Sequence, residues 1–147
     1  MDVRVGPAPI EEVRVLRQRL LRPHQRAQEL VFDGDDDPDT LHAGAFRGDR
    51  LVAVASIARD VSDDAPGPNA WRVRGMATED RDRGTGLGRA VLGRCLEHAR
   101  ERGGRVVWCN ARTGAIGFYE RLGFEVVSEV FDVPVIGPHV RMARPIA

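Results

Sequence analysis

A glycine-rich turn, Arg83-Gly84-Thr85-Gly86-Leu87-Gly88-Arg89, joins a strand-like stretch to a helix-like one and limits the architectures open to this chain. Before it, Trp71 to Ala77 leans apolar. After it, Leu87, Val91, Cys95 and Ala99 recur at helical spacing, which predicts a helix from about Gly86 to Arg102. Glycines at alternate positions remove the Cβ atoms from one side of the loop, so a ligand can come close to the backbone. The N–H groups at a helix start have no intrahelical partners, and the helix dipole adds positive potential there. With Arg83 and Arg89 at its ends, the turn has the makings of a pyrophosphate cradle.

The remaining segments supply a sheet and helices around that junction. Val3 and Val5 predict a short strand. Ile10, Val13, Leu16 and Leu20 follow Pro7 and Pro9 at amphipathic-helix spacing, and Pro23 closes the segment. Residues 24–40 read as a loop that ends in the acidic run Asp33 to Asp39. Leu41 to Phe46 and Leu51 to Ala58 predict a hairpin about Gly48-Asp49, and residues 59–69 a surface loop. Beyond the long helix, Gly103-Gly104 supply a stop and Val106 to Trp108 a buried strand. Ala115 to Leu122 predict a short helix ended by Gly123, and Phe124 to Val133 and His139 to Met142 two late strands. The order is strand, helix, three strands, helix, strand, helix, two strands. That describes a mixed sheet flanked by helices, an α/β arrangement read as a single domain over residues 1–147.

Charge narrows the function classes. The formal net charge is zero, so no global basic field draws the chain to nucleic acid or to a membrane surface. All 22 basic residues are arginine. No apolar run approaches the roughly 20 residues that span a bilayer, and the N-terminus lacks a signal peptide's apolar core. Cys95 and Cys109 lack CxxC spacing, and they read as buried small hydrophobes. A reducing, cytoplasmic setting is the expectation.

The loop fits neither common nucleotide motif. A dinucleotide fingerprint needs glycine where Arg89 stands after Gly84 and Gly86, and no suitable acidic residue follows about twenty residues on. A phosphate loop of the Walker type needs lysine, which the chain lacks. What does fit is Arg83-x-x-Gly86-x-Gly88 between a strand and a helix, followed by Asn110-Ala111-Arg112 and Ala115-Ile116-Gly117-Phe118-Tyr119-Glu120-Arg121-Leu122-Gly123-Phe124. Together these segments resemble the GNAT superfamily of N-acetyltransferases, over residues 41–144 and more loosely the first helix. The closing Ile136-Gly137-Pro138-His139-Val140-x-Met142 resembles an uncharacterised subgroup of that family.

The resemblance implies a mixed, mostly antiparallel central sheet flanked by helices, with acetyl-CoA as cosubstrate and no metal. By position it assigns Met76, Ala77 and Thr78 to the strand end that pairs with the pantetheine arm, where a backbone N–H polarises the thioester. It assigns Arg83, Gly84, Thr85, Gly86, Leu87, Gly88 and Arg89 to the pyrophosphate, and it places Phe118 in the cofactor-binding segment. Tyr119 matches the tyrosine that protonates the departing thiolate, a role a phenol can fill because it holds its proton at neutral pH. Many relatives carry Asn where Arg112 stands; either Asn110 takes the cofactor-facing role or Arg112 contacts a CoA phosphate.

The acceptor side has no signature of its own. The implied acceptor is a primary amine on a small molecule or peptide, and a homodimer is compatible with the family. An amine must lose a proton before it attacks, and His42, His139 and Asp132 have suitable chemistry for that or for steering a cation. Glu79 could orient a water but reads as a solvated loop acid, and His24 and His98 as surface residues. Asp33, Asp35 and Asp37 open like a calcium loop, but Pro38 stands where glycine is needed, and the run reads as solvated. Two other functions are carried as alternatives: a non-catalytic acyl-CoA-binding module on the same fold, and a Rossmann-type nucleotide binder.

Overall fold

The computed structural model describes residues 3–62 and 69–146, so the expected surface loop falls largely outside the described residues. The strands are β1 (Val3–Pro7), β2 (Leu41–Arg47), β3 (Arg50–Arg59), β4 (Ala70–Thr78), β5 (Val106–Arg112), β6 (Glu125–Val126), β7 (Phe131–Val133) and β8 (Gly137–Pro145). The helices are α1 (Ile10–Leu21), α2 (Leu87–Glu101) and α3 (Ile116–Arg121). β1–β2, β2–β3, β5–β8, β6–β8 and β7–β8 pair antiparallel and β4–β5 parallel, which gives the mixed, mostly antiparallel sheet of the expected fold. The described residues form two compact units, one of residues up to Ala58 with Val73–His98, the other of Arg59–Arg72 with residues from Ala99 on.

In the first unit the strand order is β1-β2-β3-β4. The β2–β3 hairpin turns at Gly48, whose φ of 59° is left-handed backbone that favours glycine. α1 lays Val13 and Leu16 against Phe46, Leu51, Val54 and Ala77 in one apolar cluster. α2 buries Leu87, Val91, Leu92, Cys95 and Leu96 at helical spacing. Gly75 bends β4 with a φ of 65°, and a Cβ there would meet Arg17 Nε at 3.0 Å and Phe32 at 3.3 Å. That position therefore needs glycine for both conformation and space.

The second unit is built on β8, which pairs with β5 along all seven β5 residues, from Val106↔Pro145 to Arg112↔His139. β4 adds a parallel ladder to β5 over Ala70–Arg72. α2 ends here in a paired turn: Gly103 N–H donates to Arg100 O, and Gly104 N–H to Ala99 O. Gly103 has a φ of 77°, and a Cβ on Gly104 would lie 2.7 Å from Ala99 O and 2.9 Å from Trp71. Both glycines are thus fixed by the helix stop.

One expected strand is broken. In place of a run from Phe124 to Val133, β6 and β7 are two short pieces on β8. Val126 faces Met142 and Phe131 faces His139, so residues 127–130 stand opposite only residues 140–141. Ser128 Oγ accepts the Arg141 N–H at 2.8 Å, doing the work of a strand carbonyl while the chain bows outward.

Candidate active site

The first unit holds the glycine turn at the start of α2. Arg83, Gly84, Thr85, Gly86 and Arg89 are exposed, while Leu87 is buried and pins the turn to the core. Gly84 and Gly86 have φ of 78° and 86°, and a Cβ on either would meet nothing within 4 Å. Backbone conformation, rather than crowding by the protein, is what requires glycine here, and the space above the turn is open. The first i→i−4 bond of α2 runs from Ala90 N–H to Gly86 O at 3.0 Å, which leaves the N–H groups of residues 86–89 without intrahelical acceptors. An anion placed there meets unpaired donors and the positive end of a 15-residue helix.

The approach to the turn is fastened from below. Thr85 Oγ1 donates to Asp82 O, and Arg47 Nε donates to Asp82 Oδ1 at 2.6 Å. Glu79, which follows β4, is not a solvated acid: it is 7% exposed, its N–H donates to Val52 O, and both carboxylate oxygens accept from Arg19 and Arg50. Of the β4 residues assigned to the pantetheine arm, Ala77 is buried, and Met76 and Thr78 are half-buried.

Behind β4 lies a buried polar cluster that the sequence reading missed. Arg17 is fully buried and donates to Asp35 through two bonds of 2.8 and 3.1 Å, to Leu30 O at 3.0 Å and to Ser56 Oγ at 2.9 Å. Its guanidinium also lies 4.0 Å from the Phe32 ring centroid. Burial opposes ionisation of Asp35, but the Arg17 hydrogen bonds, the Phe32 N–H and the nearby positive charge outweigh it and hold the carboxyl below its ordinary range. Asp35 is therefore an anchor of the 30s loop and not part of a solvated acidic run, although Asp33, Asp36 and Asp37 are exposed. The sequence did carry a signal: Val13, Leu16, Arg17 and Leu20 share the i, i+3, i+4, i+7 face.

His42 belongs to that cluster, and both its ring nitrogens are engaged. Nε2 lies 3.0 Å from the Asp35 carbonyl, which only accepts, so Nε2 donates. Nδ1 lies 2.6 Å from Ser56 Oγ, whose oxygen already receives the Arg17 N–H and whose own proton goes to the ring. His98 is likewise no surface residue: it is 6% exposed and Nε2 donates to Asp39 O at 2.7 Å.

The second unit holds the remaining predicted residues. Tyr119 is buried on α3, its ring edge-on to Phe118 and Phe124 with centroids 5.1 and 5.5 Å away. Asn110 Oδ1 accepts from Arg141 Nε at 2.9 Å, which fixes the amide, while Arg112 at the end of β5 is exposed. Asp132 is exposed on β7; His139 is buried on β8, with its ring stacked on Phe131 at 6.0 Å. Both cysteine thiols are buried, and burial pushes each up to about 12, so neither is a thiolate at neutral pH. Among the described residues no group of three or more His, Cys, Asp or Glu is arranged to hold a metal ion, and no helix is long and apolar enough to cross a membrane.

This arrangement of strands and helices is shared with solved acetyltransferases. The ribosomal-protein-S18-alanine N-acetyltransferase of Escherichia coli superposes with a TM-score of 0.76 at 20% identity, covering 99% of this chain and 95% of its own. An aminoglycoside 6′-N-acetyltransferase solved with coenzyme A gives 0.75 at 15% identity, covering 100% and 98%. In sequence, the chain is 33% identical to an uncharacterised N-acetyltransferase of Bacillus subtilis, YitI, over 135 residues, 92% of this chain and 91% of that one. Residues 10–124 match the acetyltransferase (GNAT) family, from α1 through the Phe118-Tyr119 segment to Phe124. The chain belongs to that family, whose members transfer acetyl groups from acetyl-CoA.

Proposed function

We propose that the protein is an acetyl-CoA-dependent N-acetyltransferase that passes the acetyl group directly to a primary amine. The open glycine turn at the head of α2 carries this reading, since it offers unpaired N–H groups and Arg83 and Arg89 to the pyrophosphate of the donor. A backbone N–H at the end of β4 holds the charge that grows on the thioester oxygen, and Tyr119 returns a proton to sulfur as the C–S bond breaks. The fold neighbours named above act on an aminoglycoside and on a ribosomal-protein alanine, a spread that leaves the acceptor open beyond its amine.

The buried thiols support direct transfer. An acetyl-cysteine route needs a nucleophilic thiolate, and Cys95 and Cys109 are 0% and 2% exposed with thiols held protonated. Mass spectrometry of the protein after exposure to acetyl-CoA should show no acetylated cysteine. Cys109→Ala should keep turnover within about twofold, since that thiol takes no part in the chemistry.

The cradle is tested at Gly86. With a φ of 86°, Gly86→Ala should cost about 1–2 kcal/mol of stability, and its methyl would stand in the open space above the turn. Calorimetry should show acetyl-CoA binding weakened by about tenfold or more, a 1.4 kcal/mol effect or larger. Unchanged affinity would remove the turn from the donor site. Thermal-shift comparison of acetyl-CoA, CoA, NAD and ATP should favour the first two. Binding of acetyl-CoA without transfer to any amine in a broad panel would instead make the protein a non-catalytic acyl-CoA module.

A further inference from the structure

Of the three side chains that sequence chemistry offers for the acceptor side, one is built as a base. His42 has no nitrogen to spare, because Asp35 O and Ser56 Oγ occupy both. Asp132 is exposed on β7, with no hydrogen bond or ion pair among the described residues to orient it. His139 differs from both. Its Nδ1 lies 2.8 Å from Gly137 O, and a carbonyl only accepts, so Nδ1 carries the proton. In the neutral ring the lone pair is then on Nε2. Nε2 has no hydrogen-bond partner among the described residues, and it is not one of the unpartnered polar atoms sealed from solvent.

The surroundings hold that ring in place. Gly137 has a φ of 119°, a conformation that glycine alone adopts readily, and this sets the carbonyl facing Nδ1. Phe131, the register partner of His139 on β7, stacks on the ring with planes 26° apart. The residue is 6% exposed, so its rotamer is set by packing. An imidazole with its tautomer fixed by one carbonyl, its plane fixed by an aromatic ring and its second nitrogen unused has the form of a general base.

We propose that His139 Nε2 is the base that deprotonates the acceptor amine; the assignment rests on the N-acetyltransferase reading above. Nε2 takes one proton from the incoming ammonium, and the neutral amine nitrogen then forms the C–N bond to the acetyl carbon. As the tetrahedral adduct collapses, the C–S bond breaks and sulfur takes the Tyr119 proton. The nitrogen's surplus proton restores the phenol, and His139 releases its own to water. The products are amide, CoA thiol and one free proton. The charged or titratable groups around the ring are Arg112, its register partner on β5, Asp132 beside Phe131 on β7, and Arg141 two residues along β8.

The test compares wild type with His139→Asn, whose amide can still donate to Gly137 O but cannot take a proton. The acceptors are spermidine, lysine and an alanine-leading peptide, and kcat/KM is followed against pH. At neutral pH the variant should be about 10²–10⁴-fold slower, with acetyl-CoA affinity within about twofold of wild type. The gap should close as pH rises and the acceptor arrives already neutral, and added imidazole should restore part of the rate. His139→Gln repeats the comparison if the Asn variant melts early. Wild-type and variant profiles that run parallel across the pH range would overturn the assignment. A wild type that binds acetyl-CoA but acetylates neither these acceptors nor any amine of the broad panel would instead overturn the N-acetyltransferase reading, and the base assignment with it.

Discussion

Replacing Arg17 with methionine should destabilise the protein by about 3–5 kcal/mol, enough to abolish most of the stability of an ordinary domain. The side chain is fully buried, and its removal leaves the Asp35 carboxylate, with a side chain 3% exposed, with the Phe32 N–H and, 4.0 Å away, the Arg14 guanidinium as its remaining partners. It also strips donors from Leu30 O and Ser56 Oγ. Methionine fills similar volume, so the loss reports the unpaired charge more than a cavity. The measurement is chemical denaturation of Arg17→Met against wild type and the double variant with Asp35→Asn, which should recover part of the loss by removing the stranded charge.

The pH dependence has a definite sign. In the wild type the Asp35 carboxyl is held below its ordinary value of 3.8, so its contribution is present at neutral pH and is lost as pH falls through the folded value. In Arg17→Met burial, the Phe32 N–H and the more distant Arg14 guanidinium remain, and burial raises the carboxyl's affinity for protons. The difference between variant and wild type should therefore narrow as pH drops toward 4. A gap that stays constant from neutral to acid pH would mean that the ion pair is not what the mutation breaks.

Tyr119→Phe should lower kcat by about 10²–10⁴-fold while leaving acetyl-CoA binding within about twofold. Phenylalanine keeps the edge-to-face packing against Phe118 and Phe124, so the substitution removes the hydroxyl and little else. Thermal melting should change by only a few degrees, which separates a catalytic loss from a structural one. Unchanged turnover in a folded Tyr119→Phe protein would take this residue out of the reaction and leave the proton for sulfur to another donor.

Much of this was written locally. The glycine turn could be read from spacing, because positive φ at Gly84 and Gly86 and the free N–H groups that follow are properties of a few consecutive residues. The hairpin at Gly48 and the paired helix stop at Gly103-Gly104 were legible for the same reason. The split of the expected strand after Phe124 was not, since it depends on Ser128 reaching the backbone of Arg141 thirteen residues away. β5 also runs past the expected Val106 to Trp108, as far as Arg112, because β8 is there to pair with it.

Charged and titratable residues mark where sequence stopped. Glu79, Asp35 and His98 all look like surface groups in a string of letters, yet each is buried against partners 18 to 60 residues distant. Burial and pairing are properties of packing, and a carboxylate read alone carries neither. The same holds for the two histidines: chemistry made His42 and His139 equivalent candidates, and only their neighbours told them apart. The sequence by itself determined the family, the order of elements up to α3 and the glycine turn, because motif spacing and glycine conformation are local. Tertiary structure alone decided which charges anchor the fold and which nitrogen is left with an unused lone pair, because hydrogen bonds are allotted only when distant segments meet.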